Sequence, residues 1–146
     1  MTAETEDSLF SLLESKLASF TNSRFETNIV SEANSQGKLI TSVFSEIVLD
    51  NCTLKDNKAK AKFKNLYIIS STATIRDSTF IETVNANTAQ ETRTMTGGYI
   101  YSFDNTMTLT DNTFTNGRAN QGGVLYAILS KLTITSNTFE NNESTN

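Results

Sequence analysis

The amino-acid sequence predicts an all-β solenoid, a chain wound into stacked repeats rather than packed around one centre. Three observations predict it. A large apolar residue recurs as Phe25, Leu54, Phe80, Phe114 and Phe139, at spacings of 29, 26, 34 and 25 residues, and periods of this size belong to stacked supersecondary units. Before each anchor, apolar and polar residues alternate with the two-residue period of a strand that buries one face. Four copies also hold an ungapped frame upstream of the anchor, so that length varies only between one anchor and the next copy's first apolar residue. Stacked short strands with one insertion-tolerant loop face behave in this way.

Composition narrows the chemistry. The chain has 146 residues, enough for one domain, with 19% charged residues, a formal net charge of −4 and a pI near 4.8. There is no basic excess to neutralise phosphates, which excludes nucleic acid as the expected partner. Histidine is absent and Cys52 is the single cysteine, which excludes a Cys/His zinc site, a histidine-dependent acyl-transfer triad and an internal disulfide. No cofactor motif is present. Proline is absent, against a proline-rich recognition arm. No run approaches the roughly 18 apolar residues of a membrane span. The acidic start, Met1 to Asp7, lacks the basic and then apolar order of a signal peptide. Either the chain stays inside the cell or it is a fragment of a longer one, and the polar end from Asn141 to Asn146 favours the fragment.

Residues 1–16 differ from the rest of the chain. Leu9, Phe10, Leu12, Leu13 and Leu17 recur at roughly helical spacing behind the acidic Glu4, Glu6 and Asp7, a pattern read as a short amphipathic helix capping the solenoid. An irregular first strand turn and a partner-binding helix are the alternatives. Residues 17–146 form the repeats. Five positions before each anchor stand Phe20, Leu49, Ile75, Leu109 and Ile134, and seven before stand Ala18, Ile47, Ala73, Met107 and Leu132. Polar residues, many of them threonine, lie between and suit an exposed strand face. A polar pair then follows: Asn22-Ser23, Asn51-Cys52, Asp77-Ser78, Asp111-Asn112 or Ser136-Asn137. These residue types tolerate left-handed backbone and predict a bend. Cys52 falls in this column and reads as a small buried residue. A second strand lies upstream, with Ile40, Leu66, Ile100 and Leu125 each 14 residues before their anchors and Val43, Ile69, Phe103 and Ile128 each 11 before.

The glycine pairs Gly97-Gly98 and Gly122-Gly123 precede Tyr99-Ile100-Tyr101 and Val124-Leu125-Tyr126 without the residues of a phosphate loop. Tight corners entering strands account for them. The longest excess over the repeat falls at residues 84–96, and Asn85, Asn87, Glu91 and Arg93 there form the candidate partner-binding loop. An ordinary solvated loop is the plain alternative.

The repeated apolar-x-apolar strand, polar corner, Phe-x-x-Asn and Gly-Gly-x-apolar resemble right-handed parallel β-helix repeats of the pectate-lyase-like superfamily. The nearest flavour is the surface repeats of polymorphic outer-membrane proteins. Phe25-Glu26-Thr27-Asn28 and Phe139-Glu140-Asn141-Asn142 carry the full motif, whereas the anchors at Leu54, Phe80 and Phe114 depart at one position each. The resemblance implies a right-handed parallel β-helix of about five rungs. It leaves function open, since such a fold carries lyases and adhesins alike.

The expected function is a structural or adhesive segment of an extracellular or cell-surface protein that binds protein or carbohydrate. Self-association through the C-terminal rung is also expected, and two glycosylation sequons, at Asn51 and Asn142, are compatible with secretion. A polysaccharide lyase or hydrolase using Asp77 and Asp111 is one alternative. An ice-binding face built on Thr108, Thr110, Thr133 and Thr135 is the other. Regular turn chemistry weighs against the first. Asp50 and Arg76, which interrupt the threonine column, weigh against the second.

Overall fold

A computed structural model describes residues 8–30, 38–59, 65–83 and 96–145. Its strands fall into five levels. The first holds β1 (Ser8–Leu13), β2 (Ala18–Thr21), β3 (Arg24–Glu26) and β4 (Ile29–Val30), and the second β5 (Lys38–Val43), β6 (Glu46–Asp50), β7 (Thr53–Lys55) and β8 (Lys58–Ala59). The third holds β9 (Leu66–Ile69), β10 (Thr72–Arg76) and β11 (Thr79–Ile81). Above it lie β12 (Ile100–Phe103), β13 (Thr106–Thr110), β14 (Thr113–Thr115) and β15 (Arg118–Ala119), then β16 (Leu125–Ile128), β17 (Lys131–Thr135), β18 (Thr138–Glu140) and β19 (Glu143–Ser144).

Equivalent strands pair only with their counterparts above and below. They form three five-stranded sheets in the orders β1-β5-β9-β12-β16, β2-β6-β10-β13-β17 and β3-β7-β11-β14-β18, with two-stranded pairs β4-β8 and β15-β19 beside them. Every pairing is parallel. The chain is a parallel β-solenoid. From the first level to the fifth it makes about four turns, slightly fewer than the five rungs expected from counting anchors.

The register reproduces the columns that the alternation implies. Leu54, Phe80, Phe114 and Phe139 follow one another across β7, β11, β14 and β18, as do Leu49, Ile75, Leu109 and Ile134 in the neighbouring sheet. The core runs along the axis. Phe80 and Phe114 are fully buried and stack at 4.8 Å between centroids, with Phe139 stacked a further 5.3 Å beyond. Ile47, Leu49, Ala73, Ile75, Met107 and Leu109 line the second sheet's inner face, all at 1% exposure or less. Ile40, Leu66 and Ile100 face inward from the first sheet. Val43, Ile69 and Phe103 lie three positions further on, at the opposite parity, and are half-buried.

The helix expected at the N-terminus needs correction. Ser8–Leu13 is a strand, paired in register with Lys38–Val43, and no helix occurs among the described residues. Alternation wins over helical spacing because Phe10 and Leu12 share the inward parity, where Phe10 meets Phe20 at 5.3 Å and Phe25 at 5.9 Å. Leu9, Leu13 and Leu17, which completed the helical pattern, are 49%, 65% and 58% exposed. Residues 1–7, with Glu4, Glu6 and Asp7, lie outside the described residues.

Three corners separate the sheets and share one plan, from which the third departs at Glu82, which is not left-handed, and at Gly117, which has no side chain to turn inward. A residue in left-handed backbone turns the chain, and the next side chain points inward to satisfy backbone groups that the bend leaves without a sheet partner. At the second corner the left-handed residues are Asn22, Asn51, Asp77, Asp111 and Ser136, with φ between 50° and 56°. After them Ser78 Oγ accepts from Cys52 N at 3.0 Å, and Asn112 Oδ1 accepts from Ser78 N and Asn137 Oδ1 from Asn112 N, each at 2.9 Å. Cys52 is 2% exposed and its thiol contacts the Phe20 carbonyl at 3.2 Å, consistent with a small buried residue.

Candidate functional site

The outer surface carries a depression along the first corner, between the first and second sheets. It is an open cleft of about 730 Å³ running parallel to the axis. Its backbone turns at Glu14, Phe44, Ser70, Asp104 and Leu129, all in left-handed geometry with φ of 50°, 48°, 45°, 56° and 51°. Beneath them Ser45, Ser71, Asn105 and Ser130 form the corner's inner ladder. Ser45 N donates to Ser71 Oγ at 3.1 Å, Ser71 N to Asn105 Oδ1 at 2.7 Å and Asn105 N to Ser130 Oγ at 3.2 Å. The floor is thus rigid and held by hydrogen bonds up the stack.

The cleft's walls break the local rule. Left-handed backbone suits glycine, asparagine and aspartate, and a bulky side chain there costs on the order of 1–2 kcal/mol. Phe44 and Leu129 accept that cost and are 62% and 78% exposed. Between them Ser70 Oγ donates to Asp104 Oδ2 at 3.2 Å. Phe44 and Leu129 stand three levels apart, about 14 Å at the usual interstrand spacing. Lys16, Glu46 and Lys131 edge the cleft, with Thr72 and Thr106 beside them. Apolar walls over a floor of hydroxyl, amide and carboxylate groups suit an extended polar ligand that also carries apolar faces.

Other candidates resolve differently. Asp77 and Asp111 occupy the same corner column, both exposed and outside the cleft. Their backbone N–H groups donate to the Thr110 and Thr135 carbonyls at 3.1 and 3.2 Å, so both serve as turn residues. Thr108 and Thr133 stack in one outer column of the second sheet and Thr110 and Thr135 in the next. Below Thr110 the column carries Arg76 and Asp50, joined at 2.7 Å. That contact holds the Asp50 carboxyl below its usual pKa and raises Arg76 above its own. The two columns are therefore threonine together at two levels only, although Thr74 continues the first of them one level below. Asn85, Asn87, Glu91 and Arg93 lie outside the described residues.

The sequons differ in their freedom. Asn51 is exposed, with its amide on Asn22 Oδ1 at 2.6 Å. Asn142 uses both ends of its amide: Oδ1 accepts from Gly117 N at 2.7 Å and Nδ2 donates to the Phe114 carbonyl at 2.9 Å. The Asn of the Phe-x-x-Asn repeat is the inner cap of the third corner, a structural role. The first sheet's outer face carries a stacked ladder of Tyr67, Tyr101 and Tyr126, at 5.0 and 5.9 Å between centroids. Rings stacked in this way cover one another's faces. Burial raises the Tyr101 hydroxyl's pKa, with the neighbouring Tyr126 adding to the shift.

Sequence reasoning missed Phe44, Asp104 and Leu129. A signal existed. Val43-Phe44 and Ile128-Leu129 each place a second bulky apolar residue where alternation requires the other face.

Searches against family models, curated proteins and solved structures return no match for this chain. The resemblance to β-helix repeats holds at the level of a parallel solenoid fold. No helix of the described residues is long and apolar enough to cross a membrane.

Proposed function

We propose that this chain is a structural and adhesive β-solenoid segment of a surface or secreted protein, which binds a carbohydrate chain along the first-corner cleft. One observation carries the reading: Phe44 and Leu129 are exposed, bulky and held in left-handed backbone at the cleft walls. Folding gains nothing from such residues there, and strain retained at a surface site points to use. Their side chains can cover the apolar faces of sugar rings while Ser70 and Asp104 meet the hydroxyls. The nearly neutral rim, with two lysines and a glutamate, suits an uncharged or weakly charged saccharide. The proposal moves the binding surface from residues 84–96 to the cleft.

The test is Phe44→Asn and Leu129→Asn, because asparagine suits the backbone at both sites. Each variant should gain about 1 kcal/mol of stability from relief of the left-handed strain. Each should bind at least about tenfold more weakly to the saccharide that wild type selects on a glycan array, a loss of roughly 1.4 kcal/mol by calorimetric titration. Unchanged affinity in both variants removes the cleft from the function. Turnover of the saccharide would replace the adhesive reading by an enzymatic one.

A further inference from the structure

The repeat of the cleft restricts the shape of what lies in it. Resting on the saccharide reading above, we propose that the ligand is a linear, neutral chain of β-1,4-linked, all-equatorial pyranose rings, lying parallel to the solenoid axis with one ring at each level. The register places Phe44, Ser70, Asp104 and Leu129 on four consecutive levels of one corner column, each following the paired residues Val43, Ile69, Phe103 and Ile128. Levels repeat at about 4.8 Å, and an extended chain of equatorially linked pyranose rings advances by nearly the same distance per ring. A first ring on Phe44 therefore brings the fourth onto Leu129. Neither wall is reached by shifting a shorter chain without leaving the other.

The walls select the ring. Successive rings of such a chain are turned over, so the first and the fourth show opposite faces to the protein. Phe44 and Leu129 are both exposed in the same column, and each offers only an apolar side chain. A ring whose substituents are all equatorial carries axial C–H bonds alone on either face, so it satisfies both walls. One axial hydroxyl spoils one face of every ring, and with it one wall. Chains joined through axial bonds curl, and their fourth ring leaves the line of the column. A stiff, extended chain also loses little freedom when it is laid along a rigid floor.

The floor selects charge and hydroxyl position. Ser71 and Asn105 are already bonded within the corner ladder, which leaves the outward groups. The second ring meets Ser70 and Thr72 at its own level, and the third meets Asp104 and Thr106. Ser70 Oγ donates to Asp104 Oδ2 at 3.2 Å, which orients the carboxylate and leaves its other oxygen to accept. Two neighbouring equatorial hydroxyls on one ring donate to a carboxylate together, and such charge-assisted bonds are roughly twice as strong as neutral ones. The same charge disfavours an acidic or sulfated third ring. Each middle ring thus has polar partners, and each end ring an apolar wall.

Calorimetric titration of the 146-residue chain with β-1,4-linked oligomers of glucose and of N-acetylglucosamine, three to six rings long, tests the proposal. In at least one series affinity should rise about tenfold from three rings to four, where the chain first spans both walls, and less than about twofold from four to six. Phe44→Asn and Leu129→Asn should each abolish that step, since only one wall remains. Asp104→Asn keeps a residue suited to the left-handed turn. It should weaken three-ring and four-ring chains alike, by about fivefold, with the step intact. Maltotetraose, the α-linked tetramer of glucose, should bind at least about tenfold more weakly than its β-linked counterpart. Absence of a step at four rings overturns the proposal, as do wall variants that retain it, an unchanged Asp104→Asn, or equal affinity for maltotetraose. The two readings fail separately. A saccharide of another linkage whose binding is lost in both wall variants overturns the ring-per-level fit and leaves the cleft as the site, whereas no binding to any saccharide overturns both.

Discussion

Replacing Asn112 tests whether the inner corner ladders hold the stack together. Asn112 is 1% exposed, and its amide serves two levels at once. Oδ1 accepts from Ser78 N at 2.9 Å, while Nδ2 donates to the Ile75 carbonyl at 2.8 Å and to Asn137 Oδ1 at 2.9 Å. Asn112→Ala leaves the Ser78 N–H without a partner in a corner closed to water and takes from the Ile75 carbonyl its second donor, the Thr110 N–H of the parallel ladder remaining. An unsatisfied buried donor costs about 1–3 kcal/mol and a lost second bond about 0.5–1.5 kcal/mol, giving a loss of roughly 2–4 kcal/mol. That is a large fraction of the 5–15 kcal/mol typical of a domain. Asn112→Ser should cost about half as much. Ser78 caps Cys52 N from the same column at 3.0 Å, so a serine keeps the acceptor and gives up only the two Nδ2 bonds, to Ile75 and Asn137. Urea unfolding followed by far-ultraviolet circular dichroism measures both losses, provided the slope with denaturant is unchanged. A loss below about 0.5 kcal/mol for alanine refutes the reasoning, and so does a serine variant no better than alanine.

Two further outcomes follow from the same packing. Tyr99 is buried and its hydroxyl donates to the Thr115 carbonyl. Burial first, and then the charge of Glu82, raise its pKa well above the usual tyrosine value. The raised folded pKa makes this contribution complete below the unfolded value of about 10 and progressively lost as pH climbs above it. Tyr99→Phe should cost about 1 kcal/mol at neutral pH and flatten the loss of stability above about pH 10, whereas an unaltered alkaline slope in pH-dependent urea titrations assigns the effect elsewhere. Gly98→Ala should cost about 3 kcal/mol or more, because a Cβ there would stand 1.9 Å from the Gly123 carbonyl oxygen and force two levels apart. Thermal melts should show it far less stable than Thr108→Ala on the outer face.

The fold was legible because its grammar is local. Each anchor, each apolar-x-apolar strand and each polar pair appears in sequence at the spacing that the register later shows, so that Phe80, Phe114 and Phe139 could be stacked on paper. The polar corner was legible for the same reason, since Asp77, Asp111 and Asn51 favour left-handed backbone. The first level was not. Leu9, Leu13 and Leu17 imitate a helix face, and only pairing with Lys38–Val43, a contact remote in sequence, decides for the strand. The departure from the motif at Gly117 likewise has a spatial cause: a Cβ there would stand 2.6 Å from the Tyr99 ring. The cleft was illegible because concavity is not a property of one repeat. It arises where five corners align, and its wall residues, Phe44 and Leu129, read in sequence as a stray extra apolar residue.

The placement of the aromatic residues has an experimental consequence. The chain has no tryptophan and four tyrosines, and Tyr67, Tyr99, Tyr101 and Tyr126 all lie at or above the third level. Their intrinsic fluorescence therefore watches one half of the rod, whereas backbone dichroism averages over all of it. In a structure whose levels touch only their neighbours, order can be lost from one end while the other persists. The difference between the two optical signals during denaturation is thus a directional readout, built into the sequence, of which end of the rod opens first.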